Sequence, residues 1–174
     1  LEYNRPKSIG YVAPFYGNFA IILRAYVYIL MLGREGLVRV AENAVLNANY
    51  IRARLASHYD QAYDGLCKHE CVFSPTQEML DNGVHAIDIA KALIDRGFHP
   101  PTVYFPTIVK EAMMIEPTET ESQETLDAFV DALIEIAGEA KTNPAKLKEA
   151  PVTTPVSRPD ETAAARNLDI ACLP

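Results

Sequence analysis

Several groups of residues have types and spacings that could do chemistry. Cys67, His69 and Cys71 alternate by two, so a strand would put two sulfurs and an imidazole on one face. Those are zinc ligands, but a structural site takes about four, and no fourth stands at a recognisable spacing. The plainer reading is a strand whose cysteines act as small hydrophobes, and no metal is expected. Glu116, Glu119 and Glu121 could pair as general acid and base; ahead of a helix they serve instead as acids complementing its N-terminal dipole. His99 follows a helix end and precedes Pro100-Pro101, where an imidazole either lines a site or meets the last helical carbonyls. Tyr16-Gly17-Asn18 precedes an apolar run. Backbone N–H groups at such a start cradle an anion, and Gly17 permits close approach of a phosphate.

The elements that position these residues follow from punctuation and period. Asn18 is an N-cap candidate for an apolar helix from about Phe19 to Leu32, closed by Gly33. A second helix from about Glu35 to Tyr59 carries Leu37, Val40, Ala44, Ala48, Ile51 and Leu55 at helical spacing. His69–Ser74 reads as a strand and Asp81-Asn82-Gly83 as a turn. A short helix from Ala86 to Arg96 ends at Gly97, a C′ residue where only a side chain without Cβ is comfortable. Pro100 and Pro101 then hold the chain extended. Thr102–Phe105 and Ala112–Ile115 are β-forming runs. A Thr120-x-x-Gln123 capping box opens a helix from about Ser122 to Lys141. Past Asn143 the prolines at 151, 155 and 159 predict an extended surface tail. The order predicts a small α/β domain, a sheet covered by helices. Residues 1–33 form an extended segment and interdomain helix, 34–142 the α/β domain, and 143–174 the Pro-rich tail.

Composition sets the outer bounds. At 174 residues and 49% hydrophobic, the chain supports one core rather than two. A formal net charge of −7 disfavours nucleic acid and anionic membranes as partners. Three cysteines, Cys67, Cys71 and Cys172, in no framework spacing predict a reducing compartment, the cytoplasm. The apolar run from Phe19, broken by Arg24, is shorter than the roughly 20 residues that span a bilayer.

At FYGNFAIILRAY, AENAVLNANYIRARL, DIAKALIDRGFHPPTVYFP and MMIEPTETESQETLDAF the chain resembles the pyridoxal-phosphate-dependent glycine decarboxylase family, the P-protein of the glycine cleavage system. The likeness is to the C-terminal part, most nearly of subunit 2 in the two-subunit bacterial form. It implies the small C-terminal domain of a fold type I transferase. It also implies an enzyme that releases CO2 from glycine and passes the aminomethyl group to the lipoyl arm of the H-protein. The implied partners are subunit 1, the H-protein and the large domain of the same subunit.

The family's Schiff-base lysine lies in a His-Lys-Thr motif that this sequence lacks, so no catalytic residue is expected in this chain. The chain alone is expected to be inactive and to bind no pyridoxal phosphate. By fold analogy Gly17 and Asn18 are candidate phosphate contacts, and His99, Thr102 and Tyr104 line the substrate mouth. Related aminotransferases hold the substrate carboxylate with an arginine on the following strand, and Ala112–Glu116 has none. A noncatalytic docking module and a small metal protein are the alternative readings.

Overall fold

A computed structural model describes residues 6–10 and 16–168. Much of the extended segment expected ahead of the helix from Phe19 falls outside them, as do Cys172 and the chain end. Two units are distinguished, one up to Val40 and one from Ala41 onward.

Helix α1, Phe19–Leu55, runs through both units and is interrupted at Gly33 (φ 63, ψ −174), a backbone state that ends one helix and begins another. The glycine stop expected from the sequence is therefore real. At the start of α1, Asn18 Oδ1 accepts from Ala20 N at 3.0 Å and Ile21 N at 3.4 Å, the N-cap its side chain is suited to make. Among the described residues of the first unit none is buried.

The second unit holds the core. Strand β1 is Asp60–Gln61 and β2 is Cys71–Ser74; helices α2, Gln77–Asp81, and α3, Ala86–Asp95, follow. Then come β3, Thr102–Val103, β4, Met113–Ile115, and α4, Gln123–Thr142. The sheet order is β1-β2-β4-β3 with every pair antiparallel. Its register opposes Cys71 to Ile115 and Thr102 to Met114. One face of the sheet presents Cys71, Phe73, Met113 and Ile115, all buried, as alternation along a strand requires. Helix faces repeating every three to four residues pack against them: Ile51 and Leu55 of α1, Ile89 and Leu93 of α3, and Leu126, Val130, Leu133 and Ala137 of α4. Tyr59 sits in the same core with its ring edge-on to Phe73 and its hydroxyl donating to Leu133 O at 2.8 Å. Burial raises that phenol's pKa far above its ordinary value.

Two local expectations are corrected. The N-cap of α4 is Ser122, whose Oγ accepts from Thr125 N at 3.2 Å; Thr120 instead shares a hydroxyl hydrogen bond with Thr118 at 2.8 Å. Past Asn143 the chain is not extended throughout: α5, Pro144–Glu149, begins on its proline, and α6, Glu161–Arg166, is capped by Asp160. Proline at the first helical position loses no hydrogen bond that would otherwise form, so Pro144 starts a helix it could not continue. Between the two short helices the chain is tied to α3. Asp95 accepts from Val152 N, Thr153 N and Thr153 Oγ1 at 2.7–2.9 Å. Arg158 pairs with buried Asp88 at 2.7 Å and donates to Ala150 O.

Candidate functional site

The end of α3 builds the entrance to a groove. Gly97 takes φ 81, Phe98 N donates to Leu93 O at 3.0 Å, and Gly97 N donates to Ile94 O at 2.9 Å. Those two bonds make a Schellman motif, which turns the chain out of the helix. Phe98 then turns in against the core, edge-on to Phe129 with ring centroids 5.5 Å apart. The chain continues through His99, Pro100 and Pro101 into β3. Beside it β4 ends at Glu116-Pro117 and leads towards α4.

Between these segments lies a groove of about 410 Å3 with an apolar floor that includes Ile51, Leu126 and Phe129. Its polar lining is His99, Thr102, Glu116, Glu121 and Thr125, with no lysine or arginine. Carboxylates without a balancing cation make the potential negative, so the groove favours a ligand end that is cationic or donates hydrogen bonds over a carboxylate or phosphate. This fits the lack of an arginine on β4.

The expected mouth residues divide. His99 and Thr102 line the groove together, whereas Tyr104 does not. Tyr104 lies at the start of the β3–β4 connection with φ 59, and Glu111 at its end has φ 54. A left-handed backbone costs a residue with a Cβ about 1–2 kcal/mol, so both positions need anchors. Tyr104 N donates to Ala112 O at 2.8 Å. Glu111 accepts from Ala86 N at 2.9 Å, at the start of α3, and faces His85 Nδ1 at 3.4 Å. Burial first, then the charges of Glu111 and Asp88, push the Tyr104 phenol above its ordinary range. Glu111 is a structural acid that sequence reading passed over; a lone glutamate in a loop gives no sign of which helix it caps.

Glu116 also moves from its expected role. It stands outside the first turn of α4, which begins after Ser122, and lines the groove beside His99. Periodicity gave no sign of this, because the approach depends on β4 pairing between β2 and β3. The expected face of Cys67, His69 and Cys71 does not form, since β2 begins only at Cys71. Cys71 is buried with Sγ 3.9 Å from Ile115 O, His69 is exposed, and Cys67 is half-buried. Burial pushes the Cys71 thiol up to about 12, helped by nearby Cys67, so it stays protonated and inert.

Gly17 and Asn18 belong to the first unit. Asn18 already occupies two of the N–H groups at the start of α1, and Gly17 has φ 103 with open space beside it apart from Ile22 Cδ1, 3.6 Å from where a Cβ would stand. An anion there would have to share or displace the asparagine cap.

The fold and groove define a small α/β domain with an acidic, part-apolar cleft at the end of its third helix. Residues 40–154 match the family described as Glycine dehydrogenase, C-terminal domain, and the chain belongs to that family. Among its relatives is the Probable glycine dehydrogenase (decarboxylating) subunit 2 of Chlorobium phaeobacteroides, 55% identical over 99% of this chain and 35% of the relative. The protein of the same description from Bacillus velezensis is 60% identical over 95% of this chain and 33% of the relative. The chain thus spans about a third of the length of the curated relatives it matches. Among the described residues no helix is long and apolar enough to cross a membrane.

Proposed function

We propose that this chain supplies one wall of the substrate mouth in a glycine-decarboxylating enzyme of the glycine cleavage system, and that it works only together with protein outside its own span. The observation that carries this reading is the convergence of His99, Thr102 and Glu116 on one groove inside the family-matched residues. The partners that fit are the remainder of the same subunit, subunit 1 and the lipoyl-bearing H-protein, in the cytoplasm.

Pyridoxal phosphate is the family's expected cofactor, and the residues of this chain do not fit a complete site for it. A lysine that bonds the cofactor is held in an enclosed pocket with a lowered pKa. None of the lysines here, from Lys7 to Lys148, is buried. The groove also offers its contents two carboxylates and no cation, the wrong balance for a phosphate. The lysine and most of the phosphate site are therefore assigned outside this chain, with Gly17 and Asn18 at most an added phosphate contact.

What these residues can do is orient and exclude water. The apolar floor strips water from an entering chain, and Thr102 fixes a hydrogen bond at its side. His99 can orient an entering group by a hydrogen bond at the rim, and Glu116 can hold a cationic end. The test is His99→Ala in the complete enzyme, assembled with subunit 1 and H-protein and assayed for CO2 release from glycine. Turnover should fall about 10²-fold, as misplacing a substrate by about 1 Å does, with the melting temperature unchanged because His99 is exposed. Unchanged turnover would remove the groove from the mechanism.

A further inference from the structure

We propose that His69, Glu70 and Glu116 form a binding site for one divalent transition metal ion of the zinc class. The three side chains each offer a ligand atom, and all three atoms lie within 4.8 Å of one another. His69 Nε2 is 3.8 Å from Glu70 Oε2. Metal–ligand bonds of about 2.0–2.2 Å bring tetrahedral ligand atoms to roughly 3.5 Å of one another, so closing on an ion needs only small side-chain rotations. Exposed His69 and Glu116 are free of packing that would prevent them.

The cluster is set by the fold. β2 and β4 are antiparallel with Cys71 opposite Ile115. One step beyond that pair places Glu70 opposite Glu116. Like charges directly across a sheet repel, and such a pair persists more easily when a cation lies between them. The protein supplies little of one: Glu70 has only the imidazole of His69 within ion-pair distance, and Glu116 has no hydrogen bond or ion pair among the described residues. Arg52 and Lys68 line the adjoining cleft without reaching either carboxylate.

The adjoining cleft, about 410 Å3, is lined by His69 and Glu70 among others. One imidazole and two carboxylates suit zinc, manganese or iron(II), and three protein ligands leave a coordination position open. Because Glu116 also lines the groove with His99, an ion held here would border both clefts.

The test is titration of the 174-residue chain with Zn2+ by calorimetry and with Co2+ by visible absorption, beside His69→Ala, Glu116→Gln and Cys67→Ser variants shown by circular dichroism to be folded. The expected result is one equivalent of Zn2+ at micromolar affinity, weakened roughly tenfold or more in the first two variants and unchanged in the third. Co2+ should give d–d bands without a sulfur charge-transfer band. No saturable uptake, uptake unaffected by the first two variants, or a sulfur band lost with Cys67 would each overturn the proposal. None of these readouts involves glycine turnover, so they stand apart from the function proposed above.

Discussion

Leu30 and Leu133 both sit on helices, yet Leu30 is 63% exposed and Leu133 is 1% exposed. The same contrast holds between the units that contain them. From Ala41 onward, sheet and helices offer one another apolar faces in matching periods, and Phe73, Met113, Ile89 and Ile136 disappear from solvent. Up to Val40, α1 exposes Phe19, Ile21, Tyr26, Leu30 and Met31. A helix that is apolar around most of its circumference has no polar side to turn towards water. One unit solves its own burial problem, and the other carries apolar surface that its own residues leave uncovered. Hydrophobic content alone therefore does not make a core; a second layer at the right period does.

The largest effect should come from opening the solved side. Phe73→Ala removes a ring that is 1% exposed and lies edge-on to Tyr59. Such truncations cost about 3–5 kcal/mol, enough to take most of the stability of an ordinary domain. Urea denaturation followed by circular dichroism should show the midpoint collapse. A loss below about 1 kcal/mol would mean that the second unit is not the cooperative core described above.

A smaller effect is expected where the tail is tied to that core. Desolvation would raise the Asp95 carboxyl, but the hydrogen bonds from Thr153 and Val152, with Arg96 nearby, outweigh it and hold the group below its ordinary value of 3.8. A depressed folded pKa means the contribution is present above the unfolded value and lost as pH falls through the folded one. Asp95→Asn should cost about 1 kcal/mol at neutral pH, charged hydrogen bonds being worth somewhat more before solvent screening, or roughly 2–4 °C in Tm. The gap from wild type should shrink as pH drops from about 5 to below 3 in a thermal melt series. A gap that stays constant across that range would show that the carboxylate's charge is not what holds the tail.

Features fixed by neighbouring residues could be read in advance. Gly33 and Gly97 both adopt positive φ, and each ends a helix as expected, because only a few adjacent residues decide such stops. The apolar face of α4 was legible from its period for the same reason. The cap moved from Thr120 to Ser122 because several hydroxyls compete there and the choice depends on how the chain leaves β4. β1 is only Asp60–Gln61, without β-forming residues, and exists through its register with Phe73 and Ser74. Tail helices were hidden because a proline that stops one helix also starts another. In the groove, His99 and Thr102 were singled out by family resemblance rather than by local pattern, and they line the cleft together. Glu116 and its neighbours His69 and Glu70 were not legible as a group, since strands far apart in sequence bring them together.

The smallest change in stability should come from the uncovered side. Leu30→Lys replaces a residue 63% exposed in the unit whose described residues include no buried position. Surface substitutions of this kind stay within about 0.5 kcal/mol, so the urea midpoint should barely move. The chain's association should nevertheless change. Exposed apolar patches above a few hundred Å2 are uncommon in monomers, so the wild-type chain should bind a hydrophobic dye and sediment as more than a monomer, and Leu30→Lys should reduce both. If the wild-type chain is strictly monomeric and dye-silent, the first unit must find cover within this chain, and the contrast between Leu30 and Leu133 loses its meaning. If Leu30→Lys instead destabilises as strongly as Phe73→Ala, residue 30 belongs to a core after all. Only an unchanged midpoint with altered association keeps the two units distinct: one held together by its own packing, the other by whatever it docks against.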